Sequence, residues 1–219
     1  MTFDWLVIWR NADALLDGVK LTILLAVATM AIAVPGGILL AVMRLSGIRI
    51  LSVLAQIFVE LFRNVPLILV IYMAYYVLPV VSGVTASPLV TALVALSLNV
   101  SAYNGETFRA GIASIRKGQS EAAYALGMSP LQTFRVVVLP QAARRVLPIL
   151  ASTWISLFKD TSLVSVISVG ELSYAATRVR SQTFRVLEVL TAMAGIYWIL
   201  GYPQAKLVDW INRRWGGAE

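Results

Sequence analysis

Residues 116–145 read RKGQSEAAYALGMSPLQTFRVVVLPQAARR, and this stretch decides how the rest of the chain is understood. It is polar and rich in small residues, while long apolar runs flank it on both sides. It is therefore a water-facing helical element carried by an otherwise apolar protein. Ser120 is positioned to cap a short helix over residues 121–126, and Gly127 to supply the left-handed residue that closes it. Ser129-Pro130 then restarts a helix, with Ser129 as cap, Pro130 at the first position and Gln132 as the capping-box partner three residues on. Pro140 is expected to end that second helix. The outcome is two short helices bent at a glycine, carrying an apolar set (Ala122, Ala123, Leu126, Leu131, Phe134, Val137 and Val138) larger than their own packing requires. Two uses are open for such a set: an amphipathic hairpin lying on a membrane surface, or a docking element for a cytoplasmic partner.

The composition outside this stretch points to lipid. The chain has 219 residues, of which 59% are hydrophobic and 13% charged, against about 25% charged in an average soluble domain; its mean hydropathy is +0.81. From Asn64 to Gly105 there is no Asp, Glu, Lys or Arg, enough for one span and most of a second at ~20 residues each. An integral membrane protein follows. With neither Cys nor His, thiol nucleophiles, disulfides, structural zinc and imidazole bases are excluded, and no metal site is expected. The net charge of +7 is read as a record of orientation in the bilayer, not as a nucleic-acid surface.

Apolar segments at 21–43, 51–81, 88–115, 146–170 and 186–208 predict five membrane-spanning helices in an all-α membrane protein. Charges interrupt the second (Glu60 and Arg63) and the fourth (Lys159 and Asp160). The first 20 residues hold Asp4, Asp13 and Asp17 and lack the order of a cleaved signal, so the first span is expected to direct insertion. Arg44, Arg49, Arg116, Lys117, Arg135, Arg144, Arg145, Lys206, Arg213 and Arg214 fall in connections on one side; Arg10, Lys20, Arg178, Arg180 and Arg185 fall on the other. Because cytoplasmic loops retain Lys and Arg, ten against five predicts an external amino terminus, an internal carboxyl terminus and a cytoplasmic 116–145 insert. The expected organisation is an extracytoplasmic segment 1–17, one membrane domain over 18–210, and a cytoplasmic tail 211–219.

Glu60 with Arg63, and Glu106 with Arg109, repeat a three-residue spacing that sets each pair on one helix face. A lone charge at the bilayer centre costs at least ~2.5–3.5 kcal/mol, so one reading is internal neutralisation and the other a polar pathway. Pro66 breaks the hydrogen bonding after Arg63 and can begin a second half-helix whose positive end favours an anion. Arg63, Asn64 and the backbone near Pro66 are thus candidates to meet a substrate carboxylate. Asn99, Tyr103 and Glu106 share a stripe on the third span. They serve either as glue between helices or as a cavity lining with Glu106 near an ammonium group. Lys159 and Asp160 are read as structural charges pairing across to other spans, in common with Glu60 and Arg109.

Glu121-Ala122-Ala123, then Gly127, Val137 and Leu139-Pro140, at these separations, resemble the EAA loop of binding-protein-dependent ABC importer permeases. The one departure is Val137, where that pattern usually has Ile. Residues 60–67, Tyr103 to Ile112 and the run Lys159-Asp160-Thr161-Ser162-Leu163 are further similar to its polar amino-acid branch, and the likeness covers roughly 18–210. The resemblance implies a type I importer permease fold, with Gly127 at the bend of the coupling loop and Glu121 facing an ATPase subunit. It also raises Thr161 and Ser162 as pathway residues. It implies two permease chains, identical or not, two ATPase subunits that hold ATP and magnesium, and one external amino-acid-binding protein, in a bacterial cytoplasmic membrane. Glutamate or aspartate leads as cargo, with glutamine, a basic amino acid or an opine-like derivative following.

The residues agree that ATP is handled elsewhere, since none of Lys20, Lys117, Lys159 and Lys206 sits in a Gly-rich phosphate loop. The competing class is an autonomous secondary carrier or a membrane-embedded enzyme. The carrier would normally show paired inverted halves and the enzyme a nucleophile with its base, and neither signature is found.

Overall fold

The computed structural model describes residues 3–215, and every described element is helical. Residues 1–2 of the expected external segment and 216–219 of the expected tail lie outside the described residues. A short helix α1 (Leu6–Arg10) leads into α2 (Ala12–Leu45). Then come α3 (Arg49–Asn64), α4 (Leu67–Tyr72), a wide π turn at Met73–Val77, α5 (Leu78–Ser82) and α6 (Pro88–Ala113). The insert contributes α7 (Lys117–Ala125), the single turn α8 (Pro130–Gln132) and a second π turn at Thr133–Val138, which runs into α9 (Leu139–Asp160). A tight 3₁₀ stretch, Thr161–Ile167, follows, and α10 (Leu172–Thr183) and α11 (Val186–Trp215) complete the chain.

α2 and α11 are each long and apolar enough to cross a bilayer, and α3 with Leu67–Ser82 passes the same test as a pair bent by 107°. The α6 helix carries Ser97, Asn99, Ser101 and Asn104, all buried, so its polar face is turned into the bundle. The centre of the molecule is the packing of α2 on α6, which small residues bring close. A methyl placed on Gly37 would lie 2.6 Å from the Asn104 Cβ, and one on Gly105 3.0 Å from the Leu40 Cβ. Such backbone approach is how helices associate where lipid removes the hydrophobic drive between them. Around this crossing, Leu25, Ala33, Ile71, Leu96, Leu157 and Val164 form the main apolar core. A second cluster, Val7, Leu15, Leu172, Ala176 and Val189, ties α1 and α10 to the ends of α2 and α11.

Several expected boundaries move. The helix that carries the first apolar segment, α2, begins at Ala12 and so reaches into the expected external segment, and α11 continues to Trp215 into the expected tail. The fourth helix begins at Leu139 and ends at Asp160, its expected continuation being 3₁₀. Pro140 does not end a helix. The π turn before it leaves Pro140 in the first turn of α9, where a missing N–H costs nothing. Residues 171–185, the connection between the fourth and fifth apolar segments, contain α10. Its N-terminus is capped by the fully buried Glu171, whose carboxylate accepts from the amides of Ser173 (2.9 Å) and Tyr174 (2.8 Å) and from the Tyr197 hydroxyl (2.9 Å).

Candidate functional site

The break at Pro66 opens a cavity of about 530 Å³ walled by residues 63–67, by α6 and by α9. Asn64 and Val65 end α3, and Pro66, extended at ψ 132°, turns the chain into α4. The amides of Leu69 and Val70 already bond to the Pro66 carbonyl at 2.9 and 3.2 Å, which leaves those of Leu67 and Ile68 ahead of the first helical bond. Arg63, Asn64 and Pro66 all line the cavity, as do Asn99 and Tyr103 of α6. The Arg63 guanidinium sits 5.5 Å from the centre of the Tyr103 ring, a separation at which ring and cation attract. The Tyr103 hydroxyl is 3.4 Å from the Arg63 carbonyl, and the Asn99 amide donates to the Phe62 carbonyl at 2.7 Å. Asn99 is thus both glue and lining: its NH₂ satisfies a carbonyl freed by the helix break while the residue stays at the cavity wall.

Glu106 is not part of this wall. Its carboxylate accepts from Arg44 Nη1 at 2.6 Å and from Arg109 Nε at 3.0 Å, forming a partly buried triad that joins the end of α2 to α6. Glu106 and Arg109 thus neutralise each other together with Arg44, and Glu106 does not line the cavity in which its placement beside a substrate ammonium is expected. For Glu60 and Arg63 the opposite applies. Glu60 accepts from the Gln56 amide at 2.7 Å, and Arg63 turns to the Tyr103 ring.

The acid that reaches the cavity is Asp160, which the sequence groups with the structural charges. It comes with Ser152, Thr153 and Ser156 of α9. Ser152, Ser156 and Asp160 are spaced by four, so they form one polar stripe on a helix face, a signal present in the sequence. Lys159, turned about 100° from its neighbour on the helix, lines a separate cavity of about 520 Å³ with Ser162, Ser173 and Tyr197, between α9, α10 and α11. Thr161 faces neither cavity: it is fully buried and its hydroxyl donates to the Phe158 carbonyl at 2.8 Å.

The second candidate element is the insert. α7 begins at Lys117, so Ser120 lies inside it and makes no cap. Its C-terminus closes as the sequence predicts, with Gly127 at φ +79°. The Gly127 amide bonds to the Tyr124 carbonyl at 2.9 Å and the Met128 amide to that of Ala123 at 3.1 Å, the two bonds of a Schellman closure. At α8 the reciprocal capping box is present: the Gln132 amide donates to Ser129 Oγ at 3.3 Å and the Ser129 amide to Gln132 Oε1 at 2.9 Å. Ala123 is buried inward, while Glu121 and Ala122 face outward. Leu126 is 83% exposed, Leu131 58% and Val136 65%, apolar side chains left largely open to the surroundings. The ends of the insert are tied together by Arg145 of α9, which donates to the Ser114 carbonyl at 2.8 Å, and by Gln141 of α9, which donates to Gln119 Oε1 on α7 at 3.3 Å. Leu139 and Pro140 are exposed at the base of α9.

Comparison with known proteins assigns the geometry a family. Residues 33–217 match the family model described as binding-protein-dependent transport system inner membrane component. The chain is 36% identical to the glutamate/aspartate import permease protein GltK of Escherichia coli, over 97% of this chain and 98% of that one. It is 35% identical to the glutamine transport system permease protein GlnP of Escherichia coli, over 98% of both. Among solved structures it is similar to a chain of an amino acid ABC transporter crystallised with histidines, with a TM-score of 0.92 and 32% identity, covering 98% of this chain and 100% of that one.

Proposed function

This chain belongs to the binding-protein-dependent transport system inner membrane components, and from that premise we propose that it is a membrane-spanning subunit of an ATP-driven amino-acid importer. Two permease chains, alike or different, enclose the pathway. Two ATPase subunits bind the insert on the cytoplasmic side, and an external binding protein delivers cargo. The chain itself carries out no chemistry and holds no cofactor; ATP and magnesium belong to the partner. It resides in a bacterial inner membrane with its amino terminus outside and its carboxyl terminus inside.

The observation that carries the reading is the pairing of exposed apolar side chains on a glycine-closed hairpin with a polar cavity at a helix break. Glu121 and Ala122 face out beside Leu126 and Leu131, the arrangement a groove on an ATPase can grip. Gly127, Leu139 and Pro140 fix the bend and its continuation into α9, so that a push on α7 is passed to the helix that bears Asp160. In the cavity, Arg63 with the α4 amides would meet an α-carboxylate and Asp160 an α-ammonium. Glutamate and aspartate, the leading cargoes by sequence, share both groups with glutamine and differ at the side-chain end.

Uptake by proteoliposomes holding permease, ATPase and binding protein tests this. Omitting the ATPase should abolish accumulation; transport persisting at full rate would identify an autonomous carrier instead. Arg63→Gln and Asp160→Asn should each weaken the half-saturating cargo concentration by about tenfold or more, the value of a hydrogen bond to a charged group.

A further inference from the structure

The cavity at the Pro66 break has a charge balance that restricts what it can hold. Among the described residues that line it, Arg63 supplies the one cation and Asp160 the one carboxylate. The other charged groups on the walls are engaged or turned elsewhere. Glu60 on α3 is outside the lining and bonded to Gln56. Glu106 on α6 is bonded to both Arg109 and Arg44. Lys159 on α9 lines the neighbouring cavity. What remains is neutral and hydrogen-bonding: the amides of Asn64 and Asn99 and the hydroxyls of Tyr103, Ser152, Thr153 and Ser156.

We infer that this cavity accepts α-amino acids whose side chains are polar and uncharged, of the amide or hydroxyl kind, and disfavours acidic and basic ones. The inference rests on reading the cavity as the substrate site. A zwitterion already uses both charges, its carboxylate on Arg63 and its ammonium on Asp160. Ser152 and Thr153 already donate to the Pro148 and Ile149 carbonyls at 3.1 and 3.0 Å, so a side-chain amide can donate to their oxygens and accept from the Ser156 hydroxyl. A side-chain carboxylate would enter a partly buried space with no second cation, keeping its desolvation cost without a compensating partner. The glutamate and aspartate preference expected from sequence is thereby replaced by a glutamine-like one at this site, leaving the external protein free to impose its own selection.

The test uses the purified permease–ATPase complex in lipid nanodiscs, without binding protein, and labelled glutamine as the probe. Asparagine and serine should compete, while glutamate, aspartate and arginine should compete at least about tenfold less well, one unpaired charge being worth that much or more. Ser156→Lys, and separately Ser152→Lys, should restore the missing cation and move the preference toward glutamate. Glutamate or aspartate binding the unmodified complex as tightly as glutamine overturns the inference while leaving the site in place. No binding of any amino acid, or glutamine binding unchanged by Arg63→Gln, instead overturns the reading of the cavity as the substrate site.

Discussion

Replacing Gly37 by alanine should weaken the whole bundle although it touches neither cavity nor insert. The added methyl would stand 2.6 Å from the Asn104 Cβ, 3.0 Å from the Asn104 carbonyl carbon and 3.0 Å from the Gly105 nitrogen. Carbon atoms pack best at about 3.5–4.0 Å, so α2 and α6 must part by roughly 1 Å. Asn104 is fully buried and two of the three opposing atoms are backbone, so no side-chain rotation relieves the contact. Overpacking of this kind costs about 1–3 kcal/mol, here at the upper end, and the better helix propensity of alanine returns up to about 1. The net loss is about 2 kcal/mol, which for a chain of this size lowers Tm by roughly 4–8 °C. Thermal unfolding of the permease in nanodiscs, followed by tryptophan fluorescence, reads it directly. Gly118→Ala is the control, since nothing lies within 4 Å of the added carbon, and its Tm should hold or rise. A Gly37→Ala protein melting with the parent would refute the claim that close backbone approach organises the fold.

Other substitutions probe the remaining links. Glu106→Gln leaves Arg44 and Arg109 facing each other in a partly buried site. It should cost about 2–3 kcal/mol, less than a fully buried pair because these side chains are about a quarter exposed, and unfolding in nanodiscs measures it. Gly127→Ala forces a side chain into the left-handed region, at about 1–2 kcal/mol, and should reduce substrate-stimulated ATP hydrolysis while leaving membrane insertion normal. Ser129→Ala removes one half of the capping box and should lower the protection of the Gln132 amide in hydrogen exchange, a loss of about 1 kcal/mol. Glu171→Gln keeps the shape but removes the charge from a carboxylate holding two amides and a phenol; faster exchange at Ser173 and Tyr174 is the expected result.

What the sequence made legible was local. Ser129, Pro130 and Gln132 carry their capping chemistry within four residues, Gly127 needs only its own φ, and Pro66 withholds the amide that the Phe62 carbonyl would need four residues back, so all three features appear where the sequence puts them. The misreadings arose where distant groups decide. Pro140 looked like a terminator because the π turn that accommodates it has no signature in the letters. The α10 segment, with Arg178, Arg180 and several polar residues, read as a loop because the buried Glu171 that starts it is fixed by Tyr197, far along the chain. In the cavity, the exchange of roles between Glu106 and Asp160 is a matter of helix rotation. One residue's turn sends Lys159 and Asp160 to different cavities, and Arg44, more than sixty positions away, adds a second cation to the Glu106–Arg109 pair. The stripe Ser152, Ser156 and Asp160 stands in the sequence at spacing four, with the charged pair Lys159-Asp160 at its end.

The account turns on the insert being the place where an ATPase takes hold. The chain has no native cysteine, so a single Leu126→Cys, on the side chain that is 83% exposed at the bend, reports one position cleanly. In the assembled transporter this thiol should crosslink to the ATPase subunit and stay inaccessible to an impermeant thiol reagent added outside the cell. Labelling from outside, or a crosslink that never captures the ATPase at Leu126→Cys or at Leu131→Cys, would contradict it.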